Sequence, residues 1–247
     1  MAYTIHPIVL GSKRFDKGMM TYQFGYGQPY TIPIYGWLIK GGDKRILVDT
    51  GESHPIQSPD REAALGGKIY TFEEGLARHG HTPGDIDLVL HTHLHNDHCE
   101  NDEACVNAEI IVHEKELEAI HNPHPLDFRY LEDYILEVEE RGQVRAVSGD
   151  VEVAPGIRMV HTPAHTEGGM SVFVTTAKGT AVITGFCVIM ENLEPPKEVR
   201  GMEMEVIPPG TVTDAKRAYD ILLDIKGRAD ILLPLHEPRF ATGEPIG

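Results

Sequence analysis

Residues 91–98 read HTHLHNDH and follow directly on the apolar run Leu88–Leu90. Four ligand-type residues, His93, His95, Asp97 and His98, fall together there, and all carry lone pairs suited to a divalent cation. LVLHTH reads as a buried strand, so His93 and His95, at i and i+2, can project the same way where that strand runs out. One metal could take both. Asp97 and His98 lie just past the strand, on a turn or helix start, from which they can aim at a second, neighbouring position. A histidine-rich surface loop is the plain alternative, but such a density of ligands after an apolar strand is too specific for it.

The rest of the chain alternates strands and helices around this stretch. Met19, Met20, Tyr22, Phe24, Tyr26 and Tyr30 form an aromatic, Met-rich set; the alternation of residues 22, 24 and 26 suits one face of a strand that Gly25, Gly27 and Pro29 break into a loop. Tyr35 to Lys40 and Arg45 to Asp49 read as a hairpin through GGD. Thr71 and Glu74 form a capping box for a short helix to His79, with Gly80 as its stop. Glu109 to His113 reads as a strand and Glu114 to His121 as a helix. HNPHPLDFRYLEDYILEVEE then holds two X-Pro breaks and an amphipathic helix. Strands follow at Val151 to Val153, Ile157 to His161, Met170 to Thr175 and Thr180 to Thr184. Thr211 or Thr213 is expected to cap a helix running to about Asp224, and Ile231 to Leu235 is the last buried strand.

Composition narrows the class. With 247 residues, 41% of them hydrophobic, the chain is long enough for one sizeable core, and residues 1–247 are read as a single domain. The opening MAYTIHPIVLG has neither basic n-region nor apolar h-region, so the expectation is a soluble, unprocessed protein that uses no membrane. Three cysteines without framework spacing argue against a disulfide scaffold and make the cytoplasm the default compartment. A net charge of -16 repels a phosphate backbone, so no nucleic-acid partner is expected. A small-molecule substrate is, and homo-oligomerisation stays open.

HTHLHNDH resembles the H-x-H-x-D-H motif of the metallo-β-lactamase superfamily, and the chain is most similar to the N-acyl homoserine lactonases within it. Further matches are ILVDTG at Ile46 to Gly51, NAEIIVH at Asn107 to His113, GDVEVAPGIRMVHTPAHTEGG at Gly149 to Gly169, and LPLHE at Leu233 to Glu237. The resemblance implies an α/β fold, the αββα sandwich of that superfamily. It makes His165 the third ligand of a first site with His93 and His95, and His236 the partner of Asp97 and His98 in a second. It implies one or two divalent metals per chain, with zinc expected and manganese or iron as alternatives. Asp49 would support the site by hydrogen bonds without binding metal, the 121–140 excursion would cover the pocket, and the aromatic N-terminal region would help wall it; the residues themselves equally allow a packed peripheral helix at 121–140 and aromatics that fill core or an oligomer contact. His91 and His161 are candidates for holding a ligand's other ring nitrogen.

The resemblance breaks at AVITGFCVI, Ala181 to Ile189. Where the family carries an aspartate bridging both metals, this chain has Phe186, and Ile189 lies near the position of the lactonases' catalytic tyrosine. Cys187 comes next, with a soft thiol: a bulge would let it stand in for the carboxylate, while unbroken alternation would send it into core. The expected activity is that of a metal-dependent hydrolase. A metal-bound hydroxide would open a lactone or related cyclic ester or amide, with Asp97 as the catalytic residue that orients the nucleophile and passes its proton on. An iron-dependent oxidoreductase on the same scaffold and a hydrolase of non-cyclic esters or amides are the alternatives. A non-catalytic binding protein conflicts with six matched ligands out of seven.

Overall fold

The computed structural model describes residues 2–247. Two sheets pack face to face. The first runs β1 (Thr4–Asp16), β2 (Pro29–Lys40), β3 (Ile46–Val48), β4 (Leu88–Leu90), β5 (Glu109–His113) and β6 (Val144–Val147), neighbours in that order. The second comprises β7 (Val151–Ala154), β8 (Ile157–His161), β9 (Met170–Thr176), β10 (Gly179–Ile183) and β11 (Ile231–Leu233), again side by side in sequence order. β1 to β3 are antiparallel and β3 to β6 parallel; in the second sheet only β10 and β11 pair in parallel.

Strand alternation explains the layering. Trp37, Ile39, Val48, Leu90 and Ile111 face the second sheet, where Met159, Val172, Val174, Ile183 and Leu233 meet them in one buried cluster. The intervening residues Leu38, Leu47, Val89, Ile110 and Val112 face outward and are covered by Phe72 and Leu76 of helix Phe72–Ala77, Ile120 of helix Glu114–His121, and Ile135 and Val138 of helix Asp133–Glu140. On the far side, Val160, Phe173 and Val182 pack under Ala218, Leu222 and Ile225 of helix Ala215–Arg228. The order of layers is helix, sheet, sheet, helix, as expected for an αββα sandwich. Each fully buried aliphatic side chain stabilises it by about 1.5–3 kcal/mol. Among the described residues no helix is long and apolar enough to cross a membrane.

The hairpin through GGD is present as β2 against β3, with Leu38 opposite Leu47. The Thr71–Glu74 capping box is formed in both directions. Two expectations need correction. Tyr22, Phe24 and Tyr26 lie in turns between Lys17 and Gln28 and form no strand; Tyr22 and Tyr26 are exposed, because three glycines and a proline within a dozen residues leave no ladder partner. Helix Ala215–Arg228 is capped by Asp214, whose side chain accepts from the Lys216 and Arg217 amides. The two threonines expected there are engaged elsewhere: Thr213 Oγ1 donates to the Ala164 carbonyl at 3.0 Å and the Thr211 carbonyl faces His165.

The topology gathers one set of strand ends. β3, β4 and β5 are parallel, so Asp49, the His91–His98 stretch and His113 leave the first sheet at one edge. In the second sheet β8, β10 and β11 run the same way, which brings His165, Cys187 and His236 to that edge too. The Met170 amide donates to the Thr92 carbonyl at 2.8 Å and ties the two sheets beside the histidine motif.

Gly185 guards that junction. A Cβ there would stand 2.2 Å from the Met170 carbonyl oxygen and 2.6 Å from its carbon, both backbone atoms that cannot step aside. Gly185→Ala is expected to destabilise the fold by about 1–3 kcal/mol through overpacking, read as a lowered denaturant midpoint with an unchanged slope. A midpoint equal to that of the parent protein would mean that β9 and β10 separate there without cost.

Candidate metal centre

The His91–His98 stretch is shaped by one buried carboxylate. Asp49, at the end of β3, has a backbone φ of 58°, a conformation that Asp tolerates better than most side chains, and is fully buried. Its Oδ1 accepts from the Thr92 amide at 2.8 Å and its Oδ2 from Thr92 Oγ1 at 2.7 Å. It also accepts from His98 Nδ1 at 2.9 Å. Burial by itself would raise the Asp49 carboxyl, but His98 and His91 outweigh it and hold the group at about 2. Glu116 pins the other side of the turn, accepting from the Leu94 amide at 2.9 Å and the Gly168 amide at 3.0 Å.

Five histidines reach one cavity of about 440 Å³, and each has one ring nitrogen engaged away from it. His93 Nδ1 lies 3.0 Å from Thr92 Oγ1, His95 Nε2 3.1 Å from Asp127 Oδ2, and His165 Nδ1 2.6 Å from the Thr211 carbonyl oxygen. His98 Nδ1 is on Asp49 and His236 Nδ1 is 3.0 Å from the Pro33 carbonyl oxygen. In His93, His95, His165 and His236 the remaining nitrogen is left as a lone-pair donor, the arrangement in which an outer partner sets tautomer and ring orientation; burial opposes a charge on His98, but Asp97 and Asp49 outweigh it and raise that imidazole. Ligand atoms of His93, His95 and His165 all lie within 4.8 Å of one another, a spacing one metal ion could span. His95 Nδ1 and His165 Nε2 are 3.2 Å apart. Burial, then the neighbouring histidines, push His93 and His165 well below the usual imidazole range, so at neutral pH both offer a lone pair.

Asp97, His98 and His236 line the same cavity. Asp97 Oδ2 stands 3.8 Å from His98 Nε2, and the His98 and His236 rings are 5.4 Å apart. Among the described residues, the trio closing to within 4.8 Å is the first one. Burial works against a charge on Asp97, yet His98 and Lys13 hold its carboxyl well below the ordinary range. Burial, with His98 adding to it, lowers His236 to about 4.

At the departure from the family motif, Phe186 is fully buried against Val188, Ala218 and Leu222. The Val188 amide donates to the Phe186 carbonyl at 2.8 Å, a three-residue turn that breaks strand alternation at Cys187. The Cys187 side chain therefore lines the cavity, with Sγ 3.6 Å from Met20 Sδ. Burial pushes its thiol up to about 12. Ile189 sits in an apolar cluster with Met20, Ile32 and Ile34 and offers the cavity no hydroxyl.

His91 and His161 divide. His91 Nε2 meets Asp102 Oδ2 at 2.7 Å and its Nδ1 lies 3.5 Å from Asp49 Oδ1; it touches no proposed ligand and acts through Asp49. His161 stacks on His113, ring centroids 4.1 Å apart, and its Nε2 faces the Glu167 carbonyl oxygen, so the expected contact with a ligand ring is not made. Sequence reasoning passed over Asp127, Arg129, Glu116 and Lys13. The available signal was an acid and a base, Asp127 and Arg129, set inside the otherwise apolar LDFRYL.

The sequence profile described as the metallo-beta-lactamase superfamily matches residues 30–226. An N-acyl homoserine lactonase of Bacillus sp. is 29% identical over 217 residues, covering 81% of this chain and 80% of that protein. The structure of a Bacillus thuringiensis AiiA mutant with N-decanoyl-L-homoserine bound at its active site superposes with a TM-score of 0.73 at 24% identity, over 96% of this chain and 94% of that one. AidC, a dizinc quorum-quenching lactonase with a bound product, superposes with a TM-score of 0.66 at 15% identity, over 96% and 88%.

The His91 pair yields a pH test. Burial opposes its charge, but Asp102 and Asp49 outweigh burial and raise it to about 10 from an ordinary 6.5. A group raised on folding stabilises fully below its unfolded value, and that stability drains as pH rises towards the folded value. Metal-free protein is therefore expected to lose stability from about pH 6.5 to 10, with a His91 contribution approaching about 1.4 kcal/mol per pH unit. His91→Gln should be less stable at pH 7 and lack that slope in denaturant titrations. Parallel stability curves for the two proteins would count against a charged His91.

Proposed function

From the premise that the chain belongs to the metallo-β-lactamase superfamily, we propose that it is a metal-dependent hydrolase that opens a lactone or a related cyclic ester or amide. The observation that carries this reading is the set of histidines around one cavity, each with one nitrogen engaged and one offered inward, beside the Asp97 carboxylate. The donor chemistry fits: three imidazoles within 4.8 Å suit zinc. His93, His95 and His165 would hold the first cation, and Asp97, His98 and His236 a second. When bound, such a cation supplies Lewis acidity towards the substrate carbonyl and the attacking water.

The chain's own residues do the rest. Asp97, kept ionised by His98 and Lys13, accepts a hydrogen bond from the attacking water and orients it. The proton it takes up leaves with the departing oxygen. Met19, Phe128 and Leu131, all exposed, give the cavity an apolar rim that shields the reacting carbonyl from bulk water and accepts a non-polar body on the substrate. The lactonase assignment of the Bacillus relatives supports a cyclic ester as the first substrate class to test.

Purified, metal-loaded protein is expected to hydrolyse members of a lactone, ester and cyclic amide panel, and His165→Ala to lose both turnover and the tighter metal while keeping its far-ultraviolet circular dichroism. Full metal content and rate in His165→Ala would sink the ligand assignment, and no turnover across the panel would sink the hydrolase reading.

Phe186 adds a second expectation. With no carboxylate between the cations, the second site rests on Asp97, His98 and His236, and losing one ligand or outer partner commonly costs about 10 to 100-fold in affinity. Dialysed protein should retain one metal per chain by elemental analysis and bind a second more weakly by about that factor. Two equally tight equivalents would contradict the argument from the missing aspartate.

A further inference from the structure

Arg129 stands in the excursion between helices Glu114–His121 and Asp133–Glu140, and its guanidinium reaches into the wall of the metal cavity. Nε donates to Asp127 Oδ1 at 2.7 Å and Nη2 to Asp127 Oδ2 at 2.9 Å. Nη1 is left over. It lies 3.5 Å from His165 Nε2, the nitrogen that His165 turns inward because its Nδ1 is held by the Thr211 carbonyl. Hydrogen bonds tie the chain down at Arg129 and just after it. The Asn96 amide donates to the Arg129 carbonyl at 2.9 Å. The next residue, Tyr130, is buried and donates its hydroxyl to Glu116 Oε2 at 2.9 Å. Asp127, which grips the guanidinium, is itself against His95 Nε2 at 3.1 Å.

A fixed cation aimed at the same small space as a metal has an energetic consequence. Two cations facing one another repel, and an anion between them offsets that repulsion. A neutral ester or lactone brings no such anion in its ground state, but negative charge builds on its carbonyl oxygen as water adds. A donor that gains strength only as that charge develops lowers the barrier rather than merely binding substrate. Apart from the histidines, the cavity wall holds one other basic side chain, Lys13, whose single ammonium pairs with Glu52 at 3.4 Å and faces Asp97, whereas the Arg129 fork keeps Nη1 free of Asp127. Ile189 contributes no donor.

We propose that Arg129 is a further catalytic residue, whose Nη1 donates to the substrate's carbonyl oxygen as it becomes an oxyanion. The proposal rests on the hydrolase reading above. In the step it assists, the water oxygen bonds to the carbonyl carbon, the carbon–oxygen bond of the ester breaks, and the water's proton passes to the departing alkoxide. Arg129 keeps its protons throughout and supplies a hydrogen bond and charge. The same geometry makes Arg129 a contact for the carboxylate formed by ring opening.

The test compares metal-loaded parent protein with Arg129→Met and Arg129→Lys. Arg129→Lys can retain a charge opposite Asp127 without the planar fork. Two quantities are read: steady-state kinetics on a lactone or ester that the parent turns over, and calorimetric affinity for methylphosphonate, a tetrahedral anion that needs no turnover. Expected are a fall in kcat of about 10²–10³-fold in Arg129→Met with little change in KM, a smaller fall in Arg129→Lys, and at least tenfold weaker methylphosphonate binding in Arg129→Met. Metal content should be unchanged in both. The proposal is overturned if kcat and methylphosphonate affinity stay within threefold of the parent. It is equally overturned if the variants lose metal and added metal restores the rate, because Arg129 would then act only through Asp127 and His95. If the parent turns over nothing on the panel, the hydrolase reading fails, and Arg129 fails with it as a catalytic residue; methylphosphonate affinity that depends on Arg129 would then report an anion site without catalysis.

Discussion

The site depends first on a carboxylate that water never reaches. Asp49 is fully buried, and an unpaired carboxylate there would cost several kcal/mol in desolvation. The charge is tolerable because four groups converge on it: the Thr92 amide, Thr92 Oγ1, His98 Nδ1 and, at longer range, His91. Those partners are what the cavity needs held still. Thr92 sets where the chain leaves β4 and so where His93 begins, and the same hydroxyl lies 3.0 Å from His93 Nδ1. His98 can turn its Nε2 inward only because Asp49 holds the opposite nitrogen. One buried charge thus orients a member of each proposed ligand trio.

Behind Asp49 stands a second tier, in which His91 and Thr50 both bind Asp102, at 2.7 and 2.8 Å. Paired charges in a low-dielectric interior stabilise little in net terms, but each becomes expensive when its partner is removed. Their effect is to make one arrangement of the strand ends much better than its neighbours. Parallel pairing of β3, β4 and β5 brings those ends to one edge, and the shared direction of β8, β10 and β11 delivers His165 and His236 to meet them. The apolar layers set where the two edges meet, and the polar network sets the rotamers once they have met.

Much of this was legible in the sequence because it is local. H-x-H-x-D-H after an apolar triplet encodes strand, turn and helix start within Leu88 to His98, whereas the unbroken apolar run Trp37, Leu38 and Ile39 marks a buried strand without stating its faces; the structure sends Trp37 and Ile39 to the inner layer and Leu38 to the outer one. The Thr71–Glu74 box and the β2–β3 hairpin were readable for the same reason. Non-local partners were not. Asp127 meets His95 and Glu116 meets Leu94 across 32 and 22 residues, and no spacing rule announces such contacts. The aromatic alternation at Tyr22, Phe24 and Tyr26 misled because periodicity describes a strand only where a neighbour supplies hydrogen bonds. Thr211 and Thr213 misled because both serve the His165 loop, leaving Asp214 to cap the helix.

The stretch from Gly185 to Ile189 shows where sequence and structure each contribute what the other cannot. Sequence alone reveals that Phe186 cannot ligate, and poses Cys187 as either cavity or core. A single backbone bond, from the Val188 amide to the Phe186 carbonyl, decides the direction: Phe186 goes into the apolar layer and Cys187 faces the cavity. Yet the thiol there is held protonated by burial, beside Met20 Sδ, and stands outside the trio of close ligand atoms. It offers the cavity a soft donor only at the cost of losing a proton, which a strongly bound cation could impose and an empty pocket does not. The charge removed with the family's aspartate is therefore not replaced in place. With cations bound as proposed, a site lacking that anion would leave more positive charge to be met by what it binds, and substrates that turn anionic as they react would be favoured.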